Sequence, residues 1–100
     1  MIAVEVTSDS SIDQYYEGLS KLGTSPGGTH PDPACLFHFA TEPESGGWRV
    51  IDIWESKDQA EAFIQGKVVP VMQELGAPAP KLKFIEVTNI LTGSKVPAHA

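Results

Sequence analysis

The chain has 100 residues with 13 acidic and 7 basic side chains, a formal net charge of −6, an apolar share of 41% and one cysteine. This balance excludes nucleic acid or an anionic membrane as the main partner, because both need clustered Lys and Arg to neutralise phosphates. A chain of this size forms one domain that gains from a second subunit; Cys35 cannot close an internal disulfide and no apolar run nears the roughly 20 residues that span a bilayer, so a soluble cytoplasmic protein is expected.

Ile2, Val4 and Val6 alternate with Ala3, Glu5 and Thr7, which predicts a short opening strand. The period then changes. Ser11 to Gln14 reads S-x-x-Q, in which the serine caps a free helix N–H and the glutamine reaches back. Ile12, Tyr15, Tyr16, Leu19 and Leu22 fall on one stripe, and Gly23 stops a helix over about 11–22. Adjacent residues diverge by about 100° on a helix, so at most one of the two tyrosines faces the core. Residues 24–33 hold three prolines and two glycines and read as a loop.

Residues 34–41 predict a second strand, with Cys35, Phe37 and Phe39 on one side and Leu36, His38 and Ala40 on the other. Turn residues over 42–47 lead into a third strand, Trp48 to Glu55, and suggest a hairpin. That stretch, Gly46-Gly47-Trp48-Arg49-Val50-Ile51-Asp52-Ile53-Trp54-Glu55-Ser56, is the most informative in the chain. Trp48, Val50, Asp52 and Trp54 share one side, while Ile51 and Ile53 occupy the other. A plain buried strand would not hold Asp52 there, and a plain solvated one would not carry two tryptophans. Placing Glu42 opposite Trp48 sets His38 opposite Asp52 and Leu36 opposite Trp54; a one-residue slip would send His38 to the other side.

Ser56 to Gln59 repeats the capping box ahead of Ala60, Phe63 and Ile64. Gly66 and Pro70 predict a break, followed by a short helix through Val71, Met72 and Leu75. A fourth strand follows Ala77-Pro78-Ala79-Pro80, over 82–89. The domain is expected over 1–91, with 92–100 a flexible tail.

The order strand, helix, strand, strand, helix, strand is that of an α+β, ferredoxin-like fold: a four-stranded antiparallel sheet with helices on one face. Pointing Ile2, Val4, Val6, Cys35, Phe37, Phe39, Ile51, Ile53, Ile85 and Val87 at the helices leaves Glu5, His38, Asp52 and Glu86 on the open face. Trp48, Trp54, Leu36 and Phe84 would surround them, and that face would pair with a second copy or form a half-apolar pocket.

Leu36-Phe37-His38, the stretch Gly46 to Ser56, Phe63, Pro70, Gly76 and Asn89 together resemble the dimeric α/β-barrel superfamily, and within it proteins related to antibiotic-biosynthesis monooxygenases. The resemblance covers about residues 34–90, and Gly47 to Ser56 is its most specific part. It implies a homodimer packed sheet to sheet and a small, apolar, aromatic or polyketide-like ligand. The implied activity is that of a cofactor-independent enzyme, a monooxygenase first and a cyclase or isomerase second. A non-catalytic dimeric binding or stress-related protein is the competing class.

His38 is the candidate base, with Asp52 fixing its tautomer; the alternative is a structural His–Asp bond within the dimer interface. Trp48, Trp54, Phe84, Glu86, Asn89 and Tyr16 form the candidate binding set, with packing the competing reading for the tryptophans. His30 reads either as a gate over a pocket or as a solvated loop residue. With no H-x-H, H-x-x-x-H or paired Cys/His spacing, no metal is expected, and the resemblance implies no other cofactor.

Overall fold

Ser11 and Ser56 start the helices as the two capping boxes require: each hydroxyl accepts the backbone N–H three residues on, from Gln14 and Gln59, at 3.2 Å. The computed structural model describes residues 1–91 and 93. Its elements are β1 (Ile2–Ser8), α1 (Ile12–Lys21), β2 (Cys35–Thr41), β3 (Trp48–Trp54), α2 (Lys57–Phe63), a π-helical turn (Ile64–Val68), α3 (Val69–Glu74) and β4 (Lys81–Glu86). The sheet is antiparallel with strand order β2-β3-β1-β4, and this is the ferredoxin-like fold. The flexible tail expected over 92–100 lies outside the described residues apart from Gly93.

The expected break before Pro70 does not occur. The chain stays helical from Lys57 to Glu74, because one wide turn intervenes in which Val69 N–H bonds to the Ile64 carbonyl. Pro70 then enters at the first turn of α3, where its missing N–H is tolerated. Among the described residues no helix is long and apolar enough to cross a membrane.

The hairpin register places His38 opposite Asp52, as anticipated. A β-bulge between Cys35 and Phe37 then sets Cys35, rather than Leu36, opposite Trp54. Leu36 is consequently exposed, while Cys35 is buried on the tryptophan side instead of beside Phe37 and Phe39.

The larger correction concerns which side the helices cover. β1 pairs Val4 with Asp52 and Val6 with Val50, so Ile2, Val4 and Val6 share the face of Trp48 and Trp54, not that of Ile51 and Ile53. The helices pack on this tryptophan face, and Val4, Val50, Trp48, Trp54, Ala60, Ile64 and Met72 form the core. The His38–Asp52 pair therefore lies between sheet and helices, within one subunit. Phe37, Phe39, Ile51, Ile53 and Ile85 occupy the open face, where the Arg49 Nη2 donates to Glu5 Oε2 at 2.8 Å. Glu5 is thus separated from His38 by the thickness of the sheet.

Gly47 locks the approach of β3 to β1. Its φ is +76°, and a Cβ there would collide with the Ser8 carbonyl oxygen. Gly47→Ala is expected to lose about 1–3 kcal/mol or more of stability, since backbone cannot yield as a side-chain end can. Urea denaturation should show a lower midpoint than for Gly46→Ala, whose added Cβ meets open space.

Candidate active site

Two strands, α1, the helical run and a loop meet around a cavity of ≈ 850 Å³ lined by Tyr15 and Leu19 of α1, His30 of the loop, His38 of β2, Trp48, Val50 and Asp52 of β3, and Ile64 and Met72 of the helical run. Most of the wall is aliphatic or aromatic. His38 and Asp52 bring ionisable groups to the sheet side of this wall.

There, Asp52 is buried and both its oxygens are engaged: Oδ1 lies 2.6 Å from His38 Nδ1, and Oδ2 accepts the Trp54 indole N–H at 3.2 Å. A carboxylate only accepts, so Nδ1 carries the proton and Nε2 of the neutral ring presents a lone pair. The Tyr15 hydroxyl sits 2.7 Å from Nε2 and donates to it. Burial, with Asp52 and then Tyr16 adding to it, pushes the Tyr15 phenol up to about 12, so it stays protonated and remains a donor. The result is a directed chain, Tyr15 O–H to His38 to Asp52, whose outer end borders the cavity. Such a chain can take a proton from a bound molecule at the phenol oxygen while the phenol proton moves to His38.

The neighbouring groups fix this chain in place. The Tyr15 and His38 rings lie nearly parallel with centroids 6.2 Å apart, and Trp48 is tilted against Tyr15 at 5.5 Å. Trp48 is itself held by donation from Nε1 to Ser10 Oγ at 2.9 Å, and Ser8 braces Ser10. Beneath the site the Cys35 thiol is pushed up to about 12, first by burial and then by Asp52, which leaves it unreactive.

His30 belongs to the same cluster although it lies in the Gly/Pro loop. Its ring touches Phe63 at 5.0 Å, Trp54 at 5.4 Å and His38 at 5.7 Å between centroids. Burial lowers its basicity, and the neighbouring Asp52 opposes that shift. His30, His38 and Asp52 each bring a nitrogen or carboxylate oxygen within 4.8 Å of the others, a ligand set that sequence spacing concealed because it comes from a loop and two strands. Both Asp52 oxygens and both His38 nitrogens already serve the hydrogen-bonded chain, so a cation would have to displace part of it.

Of the candidate binding residues, Trp48 and Tyr16 line the cavity, Tyr16 at its rim with its ring edge-on to Tyr15 at 5.4 Å. Trp54 lies behind the wall, holding Asp52 and His30. Phe84, Glu86 and Asn89 are not brought to the site. β4 and β2 are opposite edges of the sheet, with β3 and β1 between them. Phe84 instead lies under the Lys57 ammonium at 4.9 Å, and Glu86 and Asn89 are exposed. Tyr15 is the tyrosine that reaches His38, and one signal favoured it: it stands four residues before Leu19 and seven before Leu22, squarely on the apolar stripe.

No family model and no curated protein matches the sequence. Solved structures do match. A protein of unknown function from Nitrosomonas europaea superposes with a TM-score of 0.66 at 12% identity, over 93% of this chain and 94% of its own. MhuD, with two manganese protoporphyrin IX bound per active site, gives 0.60 at 14% identity, over 92% of this chain and 98% of its own. SnoaB, a cofactor-independent oxygenase from Streptomyces nogalater, gives 0.53 at 11% identity, over 92% and 95%. At these identities the likeness is one of fold.

Proposed function

We propose that the chain is a cofactor-independent enzyme that binds a small apolar aromatic or polyketide-like molecule between sheet and helices and oxygenates it after removing a proton. The observation that carries this reading is the Tyr15–His38–Asp52 chain ending on a mainly apolar cavity. The substrate gives its acidic proton to the Tyr15 oxygen as the Tyr15 proton passes to His38 Nε2, and Asp52 stabilises the imidazolium that forms. The electron pair left on the substrate carbon reduces dioxygen and forms a C–O bond. Loss of water from the resulting hydroperoxide turns a CH₂ group into a carbonyl, with the second oxygen atom leaving in the water. The fold shared with a cofactor-independent oxygenase supports this choice of chemistry.

Dioxygen uptake by chelator-treated protein, measured with a fused-ring aromatic ketone, tests it. One dioxygen consumed per carbonyl formed, unchanged by the chelator, is the expected result. Loss of turnover on chelation would contradict the cofactor-free reading, and turnover without uptake would identify a cyclase or isomerase that begins with the same proton step.

The open sheet face supports a homodimer, on the side opposite to the one anticipated. Phe37, Phe39 and Ile85 are 45%, 47% and 45% exposed there, an aromatic and aliphatic group that the same face of a second copy would cover. Light scattering is expected to give twice the 10.7 kDa of the chain, and Phe39→Asp to return the monomer. A monomeric wild-type protein at micromolar concentration would defeat this assembly.

A further inference from the structure

His30 borders the cavity but takes no part in the proton chain, and its tautomer is settled by its own loop. The Asp32 backbone N–H donates to His30 Nδ1 at 3.0 Å. The Asp32 carbonyl oxygen also lies 3.2 Å from Nδ1, but it already accepts the Cys35 N–H at 3.1 Å, whereas a backbone N–H can only donate; Nδ1 of the neutral ring is therefore the acceptor and Nε2 carries the hydrogen. Asp32 is held in turn, its Oδ1 accepting the Ala34 N–H at 2.9 Å, and Pro31 and Pro33 restrict the backbone on either side. Phe63 and Trp54 pack against the ring. Among the described residues Nε2 has no hydrogen-bond partner, and no buried side-chain nitrogen is left unpaired, so this N–H has an exposed surface for a ligand to meet. A ring nitrogen of His30 also lies within 4.8 Å of ligating atoms of His38 and Asp52. The His30 and His38 rings are 5.7 Å apart between centroids, and His30, Tyr15 and His38 line the same cavity, so an N–H donor and the proton chain face one bound molecule.

We propose that His30 is a second catalytic group, whose Nε2–H donates to the oxygen that gains negative charge as the substrate proton leaves towards Tyr15 and His38. The substrate is therefore an aromatic ketone with an acidic C–H next to its carbonyl. This rests on the proton-abstracting reading above and adds to it a polar requirement on the substrate. In the step itself the α C–H bond breaks, its electron pair forms the C=C bond, and the carbonyl π pair moves onto oxygen to give an enolate. The proton goes to the Tyr15 oxygen, and the Tyr15 proton goes to His38 Nε2. A preorganised donor at the position of developing charge lowers the barrier because it needs no reorientation during the reaction.

Exchange of the acidic α-hydrogens of β-tetralone for deuterium, followed by proton NMR in heavy water under argon, tests the proposal without involving dioxygen. Wild-type protein is expected to accelerate exchange. His30→Phe keeps an aromatic ring beside Trp54 and Phe63 but loses the donor, and its kcat for exchange should fall about a hundredfold with KM nearly unchanged. His30→Gln, which restores an N–H, should recover at least about tenfold of that loss. If both variants instead exchange at the wild-type rate while His38→Ala does not exchange, the His30 role is overturned and the base remains. If glutamine does no better than phenylalanine, with KM and thermal stability falling alike in both, His30 only packs the loop and the proposal fails. Absence of exchange by the wild-type protein overturns this proposal together with the proton-abstracting reading.

Discussion

His38→Ala is expected to slow proton abstraction by about 10²–10⁴-fold, the usual contribution of a positioned general base, with the protein still folded. The side chain is the middle member of the chain and bonds on both sides, to Tyr15 and to Asp52. Without it the Tyr15 phenol, pushed up to about 12, has nowhere to pass its proton. Asp52 keeps the Trp54 N–H but loses its other donor, so a stability loss of about 1–3 kcal/mol should accompany the loss of activity. Dioxygen uptake and deuterium exchange measure the first effect, and urea denaturation the second. Activity retained within tenfold would make the His38–Asp52 bond structural.

Trp54→Ala should be strongly destabilising. The side chain is 0% exposed, packs against Phe63 and His30, and donates to a buried carboxylate. Cavity formation accounts for about 3–5 kcal/mol, and the unpaired Oδ2 of Asp52 adds to it. Total stabilities of small domains are about 5–15 kcal/mol, so this variant should unfold at low urea or during expression. Trp54→Phe separates the two contributions, since it retains most of the ring and removes only the N–H. It should fold, with a smaller loss of stability and slower proton transfer because Asp52 is less firmly held. Equal stability of Trp54→Ala and wild type would refute the placement of this indole in the core.

Local patterns foretold the elements and one tertiary contact of consequence. The capping serines, the Gly/Pro loop and the turn before Trp48 are all near-neighbour chemistry, and within the hairpin His38 could be matched to Asp52 because that register sets an acid beside the histidine and keeps Phe37 and Phe39 with Ile51 and Ile53. No turn joins β1 to β3. Both sides of these strands are apolar enough to be buried, so alternation alone could not say whether Val4 belongs with Ile53 or with Asp52; a one-residue change in pairing reverses every side chain. The helices settle the matter by bringing Tyr15, Phe63, Ile64 and Met72 onto the indoles. The bulge after Cys35 is a single extra residue with no Gly or Pro to announce it. Strand order, another non-local property, carries Phe84, Glu86 and Asn89 to the far edge of the sheet. His30 could be read only as a gate over a pocket or as a solvated loop residue for the same reason: nothing near it in sequence reveals that its loop folds back over Trp54 and His38.

Nitrogen NMR of the His38 imidazole tests the proposed proton chain most directly, in protein at a pH where the ring is neutral. Nδ1 is expected to carry the proton, in a hydrogen bond to Asp52, while Nε2 shows the shift of an unprotonated nitrogen that moves when Tyr15→Phe removes its donor. A proton on Nε2 would leave no lone pair towards Tyr15 and the cavity, and would contradict the role of His38 as the base.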